Sequence, residues 1–253
     1  GAMSPVLLDL GRHCLVSPWS HYSLLFPLLL LSLARNEKVA PPERNYGIPI
    51  LLVGLVLTLL PSLGGAEMIR FSRPGIPIAL IGLARVLGRP SLTVSLLALW
   101  MIPLPSALLK ACAPFLNPLL LGVSSFPLAL FEPSAAVMGS SYESPAGTLI
   151  LSYGRTGLGL LALLSGVGWF ASLRRSQQNL KPASIPVLAL HAVTWSLWAI
   201  PIQVIGVFIA CSLTAAGHEA LSSAWLDHGL WVIVAAAALA FGWRSSQGEP
   251  GNV

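Results

Sequence analysis

The stretch 185–216 reads IPVLALHAVTWSLWAIPIQVIGVFIACSLTAA and contains no Asp, Glu, Lys or Arg. A helix needs roughly 20 apolar residues to cross a bilayer core about 30 Å thick, and this stretch exceeds that length. Similar stretches recur along the chain, which is 55% hydrophobic and only 9% charged, with a mean hydropathy of +0.78. A soluble domain devotes about a quarter of its residues to charge. The sequence therefore predicts an all-α, polytopic integral membrane protein.

The pattern of apolar runs predicts a bundle of about seven to eight transmembrane helices that forms a single membrane domain over residues 1–253. The predicted spans are 18–34, 47–63, 74–87, 92–109, 153–173, 185–216 and 226–243. A further apolar segment, 113–131, contains Pro114, Pro118 and Pro127, so we expect it to be interfacial or re-entrant rather than a straight helix. The opening Gly1-Ala2-Met3 is expected to be the remnant of a cleaved expression tag.

Basic residues near the span ends predict the orientation, because cytoplasmic loops carry an excess of Lys and Arg. Seven crossings with the N-terminus outside place most of these residues in the cytoplasm: Arg35, Lys38, Arg44, Arg85, Arg89, Arg174, Arg175, Lys181 and Arg244. The formal charge of +5 is then a property of cytoplasmic loops, and no nucleic-acid partner is predicted. We expect the chain to lie in the bacterial cytoplasmic (inner) membrane.

The longest predicted outer loop, 132–152, contains a Pro-Ala-Gly turn followed by Thr148-Leu149-Ile150. A turn of this composition next to β-forming residues predicts a small extracytoplasmic β-hairpin.

Polar side chains within or beside the apolar spans are candidate site residues, because burying an ionisable group in a bilayer costs at least about 2.5 kcal/mol. Arg155 opens the fifth span between two glycines, and its alternative role is that of a snorkelling interfacial arginine. His228 follows Asp227 at the start of the last span, where the carboxylate could equally cap the helix. Gln203 follows Pro201, and we favour a structural role in which its amide satisfies a backbone carbonyl that the proline frees.

The three cysteines, Cys14, Cys112 and Cys211, are too far apart for a metal site or a disulfide framework, and burial as small packing residues is the favoured interpretation for each. No metal or other cofactor is predicted. The sequence contains no Walker loop, no His-Glu-x-x-His and no Gly-x-Ser-x-Gly elbow, so common soluble-enzyme chemistry is not indicated.

Four stretches together resemble the exosortase/archaeosortase family, whose members are membrane-embedded cysteine proteases or transpeptidases that process C-terminal sorting signals of exported proteins. Each stretch resembles a landmark of that family. The stretches are Trp19-Ser20-His21-Tyr22-Ser23 with the helix that follows it, Ile102-Pro103-Leu104-Pro105, the turn and strand ending Gly147-Thr148-Leu149, and Trp225 to Trp231.

The resemblance also implies where a catalytic site would lie. Arg155 occupies the position of the family's nucleophilic Cys, Gln203 that of its Arg, and His228 that of its His. A guanidinium stays protonated and cannot act as a nucleophile, so the family's thiol chemistry is not expected at Arg155. Cys211, two turns beyond Gln203, is the alternative nucleophile if it approaches His228.

Three functional hypotheses follow from these patterns. The first is a non-catalytic exosortase-like protein, a pseudoenzyme, that binds an exported or membrane protein or peptide and uses Arg155 and His228 to hold an anionic group. The second is an active exosortase-type enzyme with a displaced nucleophile. The third is a structural subunit of a larger membrane complex, favoured by glycine-rich helix faces.

Overall fold

The computed structural model describes residues 4–35, 42, 44–62, 69–88, 90–178 and 184–246, and these are mostly helical. The predicted tag remnant, residues 1–3, and the basic residues Lys38, Arg89 and Lys181 lie outside the described part of the chain. The α-helices are α1 (Ser4–Val16), α2 (Leu25–Arg35), α3 (Arg44–Ser62), α4 (Gly75–Leu87), α5 (Leu92–Ser95), α6 (Ser106–Ser125), α7 (Leu158–Gln178), α8 (Ile185–Leu197), α9 (Ala199–Ala215), α10 (Glu219–Ala224) and α11 (Leu230–Ser246).

Within those described residues, five helical stretches are long and apolar enough to cross a membrane: Arg44–Pro61, Ser106–Ser125, Tyr153–Gln178, Ile185–Ala215 and Glu219–Ala240. The prediction of a helical bundle with membrane-spanning helices is confirmed at this level. The number of crossings, the orientation and the choice of inner membrane stay predictions.

The fourth predicted span, 92–109, and the segment 113–131 that follows it both differ from their predictions. The predicted span 92–109 is not one helix, because the short helix α5 and a 3₁₀ turn (Leu96–Met101) end before Pro103 and Pro105, and α6 begins at Ser106. The prolines of 113–131 do not interrupt α6, which runs through Pro114 and Pro118. Two polar side chains of α6 join it to neighbouring segments: Asn117 Nδ2 donates to the Leu151 carbonyl at 2.7 Å and Ser124 Oγ to the Val204 carbonyl at 3.0 Å.

Helix α7 lies at the centre of the bundle and is the most buried of the candidate spans. Its Leu160, Leu163 and Val167 are fully buried against Phe26 of α2 and Leu188 of α8. Inside a bilayer the hydrophobic effect does not drive helices together, because lipid tails are as apolar as the side chains. This packing therefore stabilises the bundle through close van der Waals contact.

A small antiparallel sheet covers one end of α6 and α9, and we call this end of the bundle the sheet end. Its strands are β1 (Ala136–Met138), β2 (Ser141–Ser144) and β3 (Gly147–Ile150), in that spatial order. Tyr142 and Leu149 are opposite each other in the register and are both buried on the helices, against Val207 and Cys211 of α9. The backbone N–H of Thr148 also donates to the carboxylate of Glu219, which ties β3 to α10.

Candidate functional site

Arg155 is the centre of a polar cluster at the sheet end. It lies in a 3₁₀ turn (Tyr153–Arg155) between β3 and α7. Its Nε donates to Asp227 Oδ1 at 2.8 Å and its Nη2 to Asp227 Oδ2 at 2.7 Å, the parallel two-bond geometry that a guanidinium makes with a carboxylate. Its Nη1 donates to the Ile150 carbonyl at 3.0 Å. The planar fork of Arg155 is therefore occupied by groups of its own chain.

Gln203 binds the backbone of the same residue. Its Nε2 donates to the Arg155 carbonyl at 2.9 Å, and its side chain is almost fully buried in α9. Gly157, two residues after Arg155, has a φ of +81°, and a Cβ at this position would lie 2.8 Å from Gln203 Cγ. A glycine is needed here for both reasons. The hydrogen bond of Gln203 is thus to the Arg155 carbonyl, rather than to a carbonyl freed by Pro201.

The segment Trp225–Gly229, between α10 and α11, is a single turn of π-helix. Such turns often occur at functional sites, because the wider turn changes the direction of successive side chains. Here Asp227 pairs with Arg155, while the next residue, His228, stacks on His21. Asp227 is therefore an ion-pair partner, whereas the sequence left helix capping open as its role.

His21 and His228 form the second part of the site. Their ring centroids are 5.5 Å apart with an interplanar angle of 26°, and the next aromatic pair on the same two segments, Tyr22 and Trp231, stacks at 6.5 Å with the same angle. Both histidines line a cavity of about 330 Å³, which we call the histidine cavity. The rest of its lining is Tyr22, Leu25, Leu163, Trp231, Val232 and Ala235.

A histidine beside a tyrosine at the start of the first predicted span is typical of an ordinary interfacial belt, and this pattern does not connect His21 to His228. The signal available in the sequence was the aromatic residue beside each histidine, Tyr22 next to His21 and Trp231 one helical turn after His228. The two segments are too far apart in the chain for that signal to predict a contact.

Cys211 does not line the histidine cavity. It is fully buried in an apolar cluster with Tyr142, Leu149 and Val207, whereas Tyr22, Leu163 and Trp231 of the histidine cavity belong to the separate cluster around α7. Burial, together with the negative charge of Glu132, raises the pKa of Tyr142, so its phenol stays protonated near neutral pH and provides no base for the thiol.

Cys112 is half-buried on α6, and the side chain of Cys14 lies outside the described residues. Across the described ranges, no group of three or more His, Cys, Asp and Glu side chains is arranged to hold a metal ion.

We predict that Cys211 reacts with N-ethylmaleimide at least about tenfold more slowly than Cys112 in the folded protein. Modification of a fully buried thiol requires local opening, and an opening cost of about 1.4 kcal/mol already slows the reaction tenfold. Mass spectrometry of a Cys14→Ser variant, sampled over time and compared with the denatured protein, measures both rates. Fast modification of Cys211 alone would instead identify an accessible, reactive thiol.

Comparisons with family models, with curated proteins and with solved structures give no match to this chain.

Proposed function

We propose that this chain is a non-catalytic, exosortase-like integral membrane protein that binds a segment of an exported or membrane protein at the histidine cavity. The observation that supports the proposal most is that the four stretches that resemble the family contact one another. Tyr22 Oη donates to the Ile102 carbonyl at 2.9 Å, and His21 stacks on His228. The turn Tyr153–Arg155 follows the stretch that ends Gly147-Thr148-Leu149. The ion pair between Arg155 and Asp227 joins this turn to the stretch Trp225 to Trp231.

The lack of catalysis is supported by the contacts of the residues at family positions. The Arg155 guanidinium is bonded to Asp227 and Ile150, and Gln203 is bonded to the Arg155 backbone. A hydrolytic or transfer reaction of the family type needs a nucleophile within hydrogen-bond reach of a base. Cys211, the alternative nucleophile, is enclosed in the apolar cluster with Tyr142, Leu149 and Val207 and does not line the histidine cavity.

The chemistry of the histidine cavity favours an apolar side chain with a polar group beside it. Most of the cavity wall is aliphatic or aromatic, so it suits a hydrophobic anchor, and the imidazole of His228 offers a hydrogen bond to a carboxylate or amide. Asp227 already neutralises Arg155, so His228, rather than Arg155, is the group proposed to bind the polar part of the partner.

The test is site-specific photo-crosslinking in native membranes. A photoreactive amino acid at Val232, which lines the histidine cavity and is 67% exposed, should give one discrete polypeptide adduct. The same photoreactive amino acid placed at Leu52 of α3, which is 56% exposed and does not line the cavity, is the matched control and should not give that adduct. Adding His228→Ala should reduce the yield at Val232 about tenfold, as expected when a hydrogen-bonded contact worth roughly 1.4 kcal/mol is lost.

Other outcomes distinguish the alternative functions. An adduct that is unchanged by His228→Ala and also forms at Leu52 would point to a structural subunit with broad helix contacts. A partner found shortened, with shortening abolished by Cys211→Ala or Cys112→Ala alone, would point to an active enzyme with that cysteine as nucleophile. An adduct confined to Val232, dependent on His228 and independent of every cysteine, supports the proposal.

A further inference from the structure

Arginine side chains collect at the end of the bundle opposite the sheet end. Gln177 Nε2 donates to the Leu33 carbonyl at 3.4 Å, so the last turns of α2 and α7 lie together. A Cβ at Gly47, in the first turn of α3, would lie 2.9 Å from the Cβ of Arg85, in the last turn of α4. We call this end the basic end, and its arginines are Arg35 of α2, Arg44 of α3, Arg85 of α4, and Arg174 and Arg175 of α7.

Positive charge at the basic end is not balanced by acidic side chains of the same helices. Helices α2, α3, α4 and α7 contain no Asp or Glu, and the acidic residues of the described ranges lie on other elements: Asp9, Glu132, Glu143, Glu219 and Asp227. The segments that connect the helices at the basic end add three basic residues and two acidic ones to the sequence: Lys38, Arg89 and Lys181, and Glu37 and Glu43. An excess of positive charge therefore remains.

The exposed arginines of the basic end are available to a partner. Arg35, Arg44 and Arg175 are exposed and make no hydrogen bond or ion pair within the part of the chain that the structure describes. Arg85 and Arg174 are half-buried and interact within the chain. A guanidinium presents planar N–H donors that match the oxygens of a phosphate group.

The depth of these side chains in the membrane indicates where the phosphate comes from. From Leu158, where α7 begins, to Arg175 the helix extends about 26 Å at 1.5 Å per residue. A hydrocarbon core is about 30 Å thick, so Arg175 reaches the headgroup layer on the far side from the Arg155 cluster. Arg44 is the first residue of another helix long and apolar enough to cross a membrane. The exposed guanidinium groups therefore lie at the level of the lipid phosphates.

We infer that the basic end binds the headgroups of anionic phospholipids through Arg35, Arg44 and Arg175. A headgroup such as that of phosphatidylglycerol presents its phosphate without a cation, whereas phosphatidylcholine carries an ammonium group that competes with the guanidinium. The inference does not depend on the proposed partner at the histidine cavity, because His21 and His228 lie at the opposite end of the bundle.

The test is titration of the detergent-solubilised protein with phosphatidylglycerol or with phosphatidylcholine, followed by native mass spectrometry. The wild type should bind phosphatidylglycerol about tenfold more tightly than phosphatidylcholine. Arg35→Gln, Arg44→Gln and Arg175→Gln should each weaken phosphatidylglycerol binding about fivefold, equivalent to about 1 kcal/mol for each basic side chain lost, and should leave phosphatidylcholine binding unchanged.

Arg12→Gln is the matched control. Arg12 is also an exposed arginine, but it lies on α1, which packs against the 3₁₀ turn Pro18–Leu24 that carries His21. Its substitution removes the same charge and should change phosphatidylglycerol affinity by less than about twofold, because salt screens charges that lie beyond roughly 10 Å.

The remaining outcomes would overturn the inference. Equal affinity of the wild type for the two lipids, or an equal loss in Arg12→Gln, would mean that the basic end does not select anionic headgroups. Displacement of phosphatidylglycerol by inorganic phosphate would assign a soluble anion as the ligand. An acidic polypeptide crosslinked to a photoreactive amino acid at position 175 in native membranes would assign a protein instead of lipid.

Discussion

Replacing Arg155 by alanine is expected to lower the free energy of unfolding by about 2 to 3 kcal/mol. The substitution leaves the Asp227 carboxylate without its cation, and losing one partner of a buried ion pair typically costs about 3 to 5 kcal/mol. The side chains of Arg155 and Asp227 are 15% and 28% exposed, so solvent screening places the effect below that range. Denaturant unfolding in detergent, followed by the intrinsic tryptophan fluorescence, measures it.

The ion pair between Arg73 and Asp9 is the matched control. Its side chains are 17% and 33% exposed, close to those of Arg155 and Asp227, but the guanidinium makes one hydrogen bond to the carboxylate, at 2.9 Å from Nε. Arg73→Ala should therefore cost about 1 kcal/mol or less. Arg155→Ala combined with Asp227→Ala should recover part of the loss, since neither charge is then unpaired. Equal effects of Arg155→Ala and Arg73→Ala would mean that the two-bond geometry adds no stability.

Replacing Gly54 by leucine is expected to destabilise the protein by about 3 kcal/mol, through separation of α3 from α4. The two helices pack so closely that a Cβ at Gly54 would overlap the backbone of Ala79, with its Cα at 2.6 Å. Gly82 lies in the same way against the backbone of Leu51. Small residues allow this approach between membrane helices, and overpacking such a contact costs about 1 to 3 kcal/mol, with the upper end expected where backbone must move.

Gly122 provides the control for Gly54, because it also lies within a helix but has nothing within 4 Å of its Cβ position. Gly122→Leu should be neutral or slightly stabilising, since leucine favours a helix by several tenths of a kcal/mol relative to glycine. Thermal unfolding of both variants in the same detergent makes the comparison. A Gly54→Leu protein as stable as Gly122→Leu would show that α3 and α4 contribute little to the stability of the bundle.

Much of the helical architecture could be predicted from the sequence, because the scarcity of charge is a local property that is read residue by residue. The stretch 185–216 is an example: its helices α8 and α9 run through most of it, with a break at Trp198 just before Pro201. The same local reasoning was wrong for 92–125. Proline is costly in an isolated helix, but α6 continues through Pro114 and Pro118 in the folded chain, where Asn117 and Ser124 bind neighbouring segments.

The sequence by itself determined which polar residues are exceptional, since Arg155, Gln203 and His228 lie beside or within apolar spans where such groups are costly. Only the tertiary structure decided what each of them contacts. Arg155 and Asp227 are 72 residues apart, and His21 meets His228 from the opposite end of the chain. These contacts depend on how the helices rotate against one another and on the π-turn that directs Asp227 and His228 to different partners. Local hydrophobicity does not encode rotation or partner, because many registers bury the same apolar surface.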